Sequence, residues 1–247
     1  MKLSSTEIKK YLASKKYDFK RFKMHYTSKE ILAINTFKIN KAVEFSYLGS
    51  YKNLKNINEF LSTLGNNDIL LVNKMEKIIN NIIKKVLKGY NMEYFWMDIR
   101  VTMPSNMFDT PRWHKDGTFF PPDMNEMGVS KFATVLKGPG TLLIKSTKRI
   151  NEIYNKCDEQ EFNEMKLCTT MEERIKIDDK YRPILAKKFS KEPIIQLKNN
   201  QGLVFFAATP NDIGALHSEP KFDVPRMFIS ILPNTEENII ALKKSWN

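Results

Sequence analysis

Hydrophobic positions follow a helical period before about residue 93 and a strand period after it. Between Asp68 and Gly89, apolar residues recur at i, i+3, i+4 and i+7 with lysines between them, which predicts an amphipathic helix. Asp68 is a favourable N-cap and Gly89 a favourable terminator for that helix. Similar signals predict helices near residues 4–13 and 53–64. The pattern therefore predicts a helical N-terminal part, residues 1–92.

From residue 94 onward, apolar and polar side chains alternate in short runs, which is the signature of β-strands. Turn residues separate these runs, as in Gly138-Pro139-Gly140 and Pro210-Asn211-Asp212. We expect strands at 94–103, 113–120, 131–136, 141–144, 193–197, 203–206, 213–218 and 226–232.

A highly charged segment, residues 146–192, interrupts the strands. It contains 11 basic and 10 acidic residues, and its apolar spacings are helical. We interpret it as a helical insertion that is either a surface decoration or a lid facing a substrate.

Together these patterns predict an α+β fold with a mainly β core, in one domain spanning 1–247. The core, residues 93–235, is expected to be a double-stranded β-helix of the jelly-roll or cupin type, because eight short strands joined by tight turns suit that architecture. The N-terminal helices would form a layer on one face.

Charge is distributed unevenly along the chain. The net charge is +12, and residues 1–93 hold 18 Lys and Arg against 8 Asp and Glu, a net of +10. Such a surface could attract nucleic acid or another polyanion as substrate or partner. The simpler explanation is that scattered lysines solvate helix surfaces, since arginine, the usual base-reading residue, is scarce.

Several classes of protein are disfavoured by composition. No apolar run reaches about 18 residues, so no transmembrane helix or membrane partner is expected. Residues 1–7 lack the apolar core of a secretory signal. The two cysteines, Cys157 and Cys168, lie in a charged region and do not resemble a disulfide framework. We therefore expect an intracellular protein, cytoplasmic or nuclear.

Three side chains have the chemistry of a metal site. His114 and Asp116 are two residues apart, so on a strand they point to the same face. His217 lies on a late strand, which a jelly roll can place beside the first. Two histidines and one carboxylate are the ligands of the facial triad that holds Fe(II). Arg226, nine residues after His217, could pair with a dicarboxylate bound at that metal.

In their order and spacing, His114-Lys115-Asp116, His217 and Arg226 resemble the HxD…H…R signature of Fe(II)/2-oxoglutarate-dependent dioxygenases. The resemblance covers residues 94–233, and the Trp-His-x-Asp-Gly form is similar to phytanoyl-CoA-hydroxylase-like members. It implies that His114, Asp116 and His217 bind Fe(II) and that Arg226 binds the distal carboxylate of 2-oxoglutarate. It also implies an O2-dependent enzyme that hydroxylates a C–H bond, or demethylates a substrate by hydroxylating an N-methyl group.

The family often adds a hydroxyl group beside the co-substrate carboxylate. Here Phe228 stands two residues after Arg226, where a serine is often found. We therefore consider Arg100, Thr134 and Ser230 as supporting contacts to the co-substrate. Trp113 and Phe119 are candidates for pocket walls, although core packing would explain them equally well.

Other functions stay open at this stage. The chain could be a non-catalytic jelly-roll module that binds nucleic acid through its basic N-terminal part. It could also be a cupin-type metalloenzyme that does not use 2-oxoglutarate. In the simplest alternative, His114 and Asp116 form a surface pair and His217 is only hydrogen-bonded.

Overall fold

The computed structural model describes residues 4–14, 18–117, 129–207 and 214–245. Its strands are β1 (Phe19–Lys23), β2 (Val43–Ser50), β3 (Tyr94–Thr102), β4 (Ser130–Lys137), β5 (Leu142–Ile144), β6 (Ile194–Gln196), β7 (Gln201–Phe206), β8 (Leu216–Ser218) and β9 (Arg226–Asn234). Its helices are α1 (Ser5–Ser14), α2 (Ser28–Thr36), α3 (Ile57–Ser62), α4 (Ile69–Tyr90), α5 (Lys148–Met165), α6 (Met171–Phe189) and α7 (Glu236–Ser245).

The strands form two antiparallel sheets that face each other. The larger sheet has the order β1-β7-β4-β9-β3-β2 and the smaller one the order β6-β5-β8. Between them, Ala133, Leu203 and Phe205 of the larger sheet pack with Leu143 of the smaller sheet in one buried cluster. The expected α+β fold with a jelly-roll β core is therefore confirmed.

Helices α1 to α4 cover the outer face of the larger sheet. The apolar stripe of α4 is buried in the main core together with Ile99 and Ile229, which alternate with inward-facing neighbours on β3 and β9. The side chain of Asp68 accepts a hydrogen bond from the amide of Leu71 at 2.8 Å, so the predicted N-cap is confirmed. The helix continues past Gly89 to Tyr90, and Asn91, with a positive φ of 58°, is its C-cap.

The N-terminal part is not wholly helical, and this expectation was wrong. Strand β1 pairs with β7, and β2 pairs with β3, so both are edge strands of the larger sheet. Edge strands carry exposed charged side chains, as β1 does with Arg21 and Lys23, and these residues obscure the alternating hydrophobic pattern of a strand. Helix α7, which packs against Trp96 and Leu232, was also not expected.

The charged insertion is helical, as predicted, and it forms a hairpin of two helices, α5 and α6. Thr147 and Thr170 cap the two helices with side-chain hydrogen bonds to the amides of Ile150 and Glu173. The hairpin packs on the outer face of the smaller sheet. Its contacts there bury Trp113, Ile144, Ile150, Tyr154, Cys157, Leu185, Phe189 and Leu216.

The strand expected at 113–120 is reduced to one bridge in the part that the structure describes. His114 pairs with His217 of β8, and the neighbouring residues up to 117 adopt no regular strand. Residues 118–120 lie outside the described residues, as do the predicted turn at Pro210-Asn211-Asp212 and residue 213. Among the helices that are described, none has the length and apolar content to span a membrane.

Candidate metal centre and its anion pocket

The main chains of His114 and His217 hold the two imidazoles together. Each residue donates its amide N–H to the carbonyl oxygen of the other, both at 2.9 Å. This pairing brings the two ring centres within 4.3 Å of each other. Residues from distant parts of the sequence are thus fixed side by side by the backbone.

Hydrogen bonds set the tautomer of both rings. The Nδ1 atom of His114 lies 2.8 Å from the carbonyl oxygen of Arg112, and Nδ1 of His217 lies 3.0 Å from that of Ala215. A carbonyl oxygen can only accept, so we assign the proton to Nδ1 in both rings. The Nε2 lone pairs are left free, which is the state that a histidine needs to bind a metal.

The carboxylate of Asp116 completes the cluster. Its Oδ1 lies 3.7 Å from Nε2 of His217, and its Oδ2 lies 3.0 Å from the ammonium of Lys131. The three potential ligand atoms of His114, Asp116 and His217 all lie within 4.8 Å of one another. Two imidazole nitrogens and one carboxylate oxygen at this spacing fit a divalent first-row metal.

Protonation also favours metal binding at neutral pH. Burial and the neighbouring His217 lower the pKa of His114 to about 4. Burial alone would raise the pKa of Asp116, but the charges of His217, Lys131 and His114 outweigh it and lower this pKa to about 2. The imidazole of His114 is therefore neutral and the carboxylate of Asp116 ionised near pH 7, as metal coordination requires.

Lys131 fixes the orientation of Asp116 and was missed in the sequence. Its side chain is buried, and its ammonium also lies 5.3 Å from the ring centre of Trp96. By binding Oδ2, Lys131 directs Oδ1 toward the histidines. The available signal was a lysine beside the apolar residues of β4, but lysines are more often exposed.

Arg226 is buried beside the triad and is held in place by the turn before β5. Its Nε donates to the carbonyl oxygen of Pro139 and its Nη2 to Oγ1 of Thr141, both at 3.1 Å. Gly138 makes this approach possible, because its φ is +83° and a Cβ there would lie 2.9 Å from Cα of Arg226. The guanidinium also lies 5.0 Å from the ring centre of Phe228.

The charge of Arg226 has no close counter-ion among the described residues, since none of their carboxylates lies within 4 Å. Burial lowers its pKa to about 10, so it remains positively charged at neutral pH. A buried cation without a paired anion is costly, and an anionic ligand would compensate it.

One cavity of about 230 Å³ connects these groups. It lies between the sheets and is bordered by the metal-ligand candidates, by Arg226 and by Thr141. Other lining residues include Thr102, Phe108, Ala133, Leu203, Phe205, Ser218 and Phe228. The cavity therefore brings the three candidate metal ligands and a buried cation into one space.

Two of the three supporting residues proposed from the sequence line this cavity. Ser230 does so from β9. Arg100 does so from β3, but its charge is already paired with Glu44 at 3.1 Å and with Asp98 at 3.5 Å.

Thr134 does not reach the site. Its side chain lies on the opposite face of β4 and donates a hydrogen bond to the carbonyl oxygen of Gln201 at 3.0 Å. The hydroxyl group that touches Arg226 is instead that of Thr141, which the sequence did not single out.

Neither the insertion nor Trp113 borders the cavity. The lining contains no residue of α5 or α6, so the lid interpretation is not supported in the described part of the chain. Trp113 packs edge-on against Phe189 of α6, with ring centres 6.3 Å apart, behind the metal-ligand candidates. Phe119 lies outside the described residues.

A second carboxylate, Glu219, also lines the cavity and was missed. It follows His217 by two residues and therefore shares its side of the chain. Burial opposes its ionisation, but His114 and Arg112 outweigh this effect and lower its pKa. The negative charge of Glu219 in turn favours the charged forms of His114 and Arg226 and so acts to raise the pKa of both.

No protein-family model matches the chain, and no curated protein sequence is similar to it. Solved structures do show similarity. The Kdo hydroxylase KdoO, described as a non-heme Fe(II) alpha-ketoglutarate-dependent dioxygenase, has a TM-score of 0.49 and 12% identity, covering 96% of this chain and 87% of its own.

Two further structures belong to enzymes with related descriptions. A Pseudomonas putida prolyl-4-hydroxylase has a TM-score of 0.41 and 8% identity, covering 94% of this chain and 98% of its own. The Arabidopsis thaliana dioxygenase for auxin oxidation, in complex with 2-oxoglutarate, has a TM-score of 0.39 and 9% identity, covering 94% and 89%. All three TM-scores are below 0.5, so the function of this chain must be inferred from its own residues.

Proposed function

We propose that this protein is an Fe(II)- and 2-oxoglutarate-dependent oxygenase that hydroxylates, or oxidatively demethylates, an organic substrate. One observation carries the proposal. A cluster of two Nε2 lone pairs and one carboxylate shares a cavity with Arg226, a buried guanidinium that has no carboxylate within 4 Å among the described residues. The cluster suits the metal, and the guanidinium suits the anionic co-substrate.

The metal would be held by His114, Asp116 and His217. Their nitrogen and oxygen donors suit Fe(II), and three protein ligands leave coordination positions for other molecules. The carbonyl oxygens bound to both Nδ1 atoms, and Lys131 bound to Oδ2, already hold the three side chains in orientation. The site is therefore organised before a metal arrives.

The co-substrate would be held by Arg226. A guanidinium pairs with a carboxylate through two parallel hydrogen bonds, and burial strengthens such a pair. Thr141 and Pro139 fix the guanidinium from behind, and Ser230 adds a hydroxyl group to the same cavity. A cupin-type metalloenzyme that does not use 2-oxoglutarate would have no need for this arginine.

Bound Fe(II) supplies the chemistry by which 2-oxoglutarate and O2 become succinate and CO2 while a substrate C–H bond becomes C–OH. One oxygen atom of O2 enters succinate and the other enters the product. The protein binds and orients the reactants, while Ala133, Leu203 and Phe205 supply an apolar wall that limits the access of water.

The test is conversion of 2-oxoglutarate to succinate by purified protein with Fe(II) and ascorbate. We expect turnover in the wild type, none in His114→Ala or Asp116→Ala, and a loss of at least about a hundredfold in Arg226→Gln, because a buried charged hydrogen bond is removed. His25→Ala is the matched control, since this third histidine is exposed and far from the cluster in the sequence. Turnover that survives His114→Ala and Asp116→Ala would exclude the assigned site.

The alternatives predict different results. A metalloenzyme that does not use 2-oxoglutarate would form no succinate in this assay, and its own activity would survive Arg226→Gln. A non-catalytic module would bind nucleic acid in a salt-sensitive manner and produce no succinate. The expectation of a nucleic acid or another polyanion as substrate rests on the basic N-terminal part and stays a prediction.

A further inference from the structure

Lys115 lies between the two metal-ligand candidates His114 and Asp116. The position of its main-chain amide therefore affects the relative orientation of the two side chains. In an antiparallel pair, alternate residues direct their main-chain groups to opposite sides. His114 uses its N–H and C=O for His217, so the N–H of Lys115 points away from β8. It needs another acceptor, since a buried amide without a partner is costly.

That acceptor is a side chain of the helical insertion. The hydroxyl oxygen of Tyr154, on α5, accepts the hydrogen bond from the Lys115 amide at 3.2 Å. The same hydroxyl donates to Oδ1 of Asp158, one turn later on the helix, at 3.1 Å. Tyr154 is buried, so its ring and its hydroxyl are fixed by the surrounding packing.

Further contacts tie the segment to the hairpin. The ammonium of Lys115 lies 5.0 Å from the Tyr154 ring centre and 3.4 Å from Oδ1 of Asn151. Arg182 of α6 donates to the carbonyl oxygen of Thr110 at 2.7 Å. The insertion thus contacts the ligand-bearing segment, residues 110–116, on the side opposite β8.

We propose that Tyr154 is a positioning residue for the metal centre, and that the α5–α6 hairpin serves to hold the segment carrying His114 and Asp116. The hydroxyl of Tyr154 fixes the peptide between the two ligands and thereby their relative orientation. This role rests on the proposed function, in which those two residues bind the metal. In this role the insertion orients the metal ligands and does not act as a lid over the substrate.

Tyr181 provides a matched control. It lies on the other helix of the hairpin and is also buried, and its hydroxyl donates to Oε1 of Glu164 at 2.7 Å. That bond joins α6 to α5 within the hairpin. Tyr154→Phe removes the hydrogen bonds to Lys115 and Asp158, and Tyr181→Phe removes the one to Glu164. Of the two hydroxyl groups, only that of Tyr154 contacts the ligand-bearing segment.

The experiment compares wild type, Tyr154→Phe and Tyr181→Phe in full-length protein. Co(II) affinity is measured by calorimetric titration, and the Co(II) d–d absorption spectrum reports the ligand geometry. We expect Tyr154→Phe to weaken Co(II) binding about tenfold and to change the spectrum, as for other residues that orient metal ligands. Tyr181→Phe should match the wild type in both.

Equal Co(II) affinity and spectrum in all three proteins would overturn the positioning role. If the wild type itself binds no Co(II), the proposed function fails instead. Hydrogen exchange of the Lys115 amide in the metal-free proteins then tests separately whether the Tyr154 hydroxyl holds this segment. Faster exchange in Tyr154→Phe than in Tyr181→Phe supports it, and equal exchange in the two variants refutes it.

Discussion

At the scale of single residues, the three candidate ligands already have the protonation states and orientations that a metal requires. The Nδ1 protons of His114 and His217 are bound by carbonyl oxygens, and Asp116 is held by Lys131. A metal should therefore stabilise the folded chain without a large rearrangement.

Metal addition should raise the stability of the protein. At a free Mn(II) concentration one hundred times the Kd, binding adds about 2.7 kcal/mol to the free energy of unfolding. Urea unfolding with and without Mn(II) measures this gain. A chelator should reverse it, and His217→Ala should show none. An equal gain in wild type and His217→Ala would mean that Mn(II) binds elsewhere.

The metal-free protein should lose stability on mild acidification. The pKa of His114 is about 4 in the folded state against 6.5 in an exposed histidine, so between these values the unfolded chain binds a proton that the folded chain does not. Its contribution is therefore fully present above pH 6.5 and declines as the pH falls toward 4, by roughly 3 kcal/mol at most.

Urea unfolding of metal-free protein at several pH values tests this dependence. His114→Asn should flatten the slope between pH 6.5 and 4, and His25→Asn, at an exposed position, should keep it. An unchanged slope in His114→Asn would show that another group titrates.

At the scale of secondary-structure elements, the sequence correctly predicted those elements whose pattern lies within their own residues. The apolar stripe and cap of α4 and the alternating residues of β3 and β9 identify these elements without their partners. The edge strand β1 was missed because its partner β7 is distant in sequence and its Phe and Lys residues also suit an exposed loop. Thr141 and Lys131 were missed because only strand pairing shows which side chains meet.

A lysine on β4 connects helix α2 to the larger sheet. The ammonium of Lys137 donates to the carbonyl oxygens of Asn35 at 2.8 Å and Phe37 at 2.7 Å, at the C-terminal end of α2. A cation there satisfies carbonyls that the helix leaves unpaired.

Replacement of this lysine should destabilise the protein. We expect Lys137→Met to lower the free energy of unfolding by about 1–3 kcal/mol, the cost of charged hydrogen bonds and of carbonyls left unpaired. Chemical denaturation measures the effect. Lys29→Met, at an exposed position on the same helix, should change the stability by less than about 0.5 kcal/mol. Equal effects of the two substitutions would contradict the capping role.

At the scale of the whole molecule, basic surface and cavity lie on different sides of the larger sheet. Helices α1 to α4, which carry many of the N-terminal lysines, cover its outer face, whereas the triad and Arg226 lie on its inner side. Any polyanion bound by those helices would therefore contact a surface apart from the metal ligands.

This separation makes nucleic-acid binding and catalysis independently testable. If the basic layer binds single-stranded DNA or RNA, the affinity should fall with added salt and should be unaffected by Asp116→Ala. Fluorescence anisotropy with a labelled oligonucleotide measures it. An affinity that drops in Asp116→Ala would instead place the nucleic acid at the cavity.

The central claim is that a metal at His114, Asp116 and His217 and the guanidinium of Arg226 bind 2-oxoglutarate together. Calorimetric titration of 2-oxoglutarate into Mn(II)-loaded protein without O2 tests it most directly, since the proposed reaction cannot proceed without O2. The predicted result is one 2-oxoglutarate bound per chain with Mn(II), much weaker binding without it, and a large loss of affinity in Arg226→Gln. No binding in the Mn(II)-loaded wild type, or binding unaffected by both Mn(II) and Arg226→Gln, would contradict it.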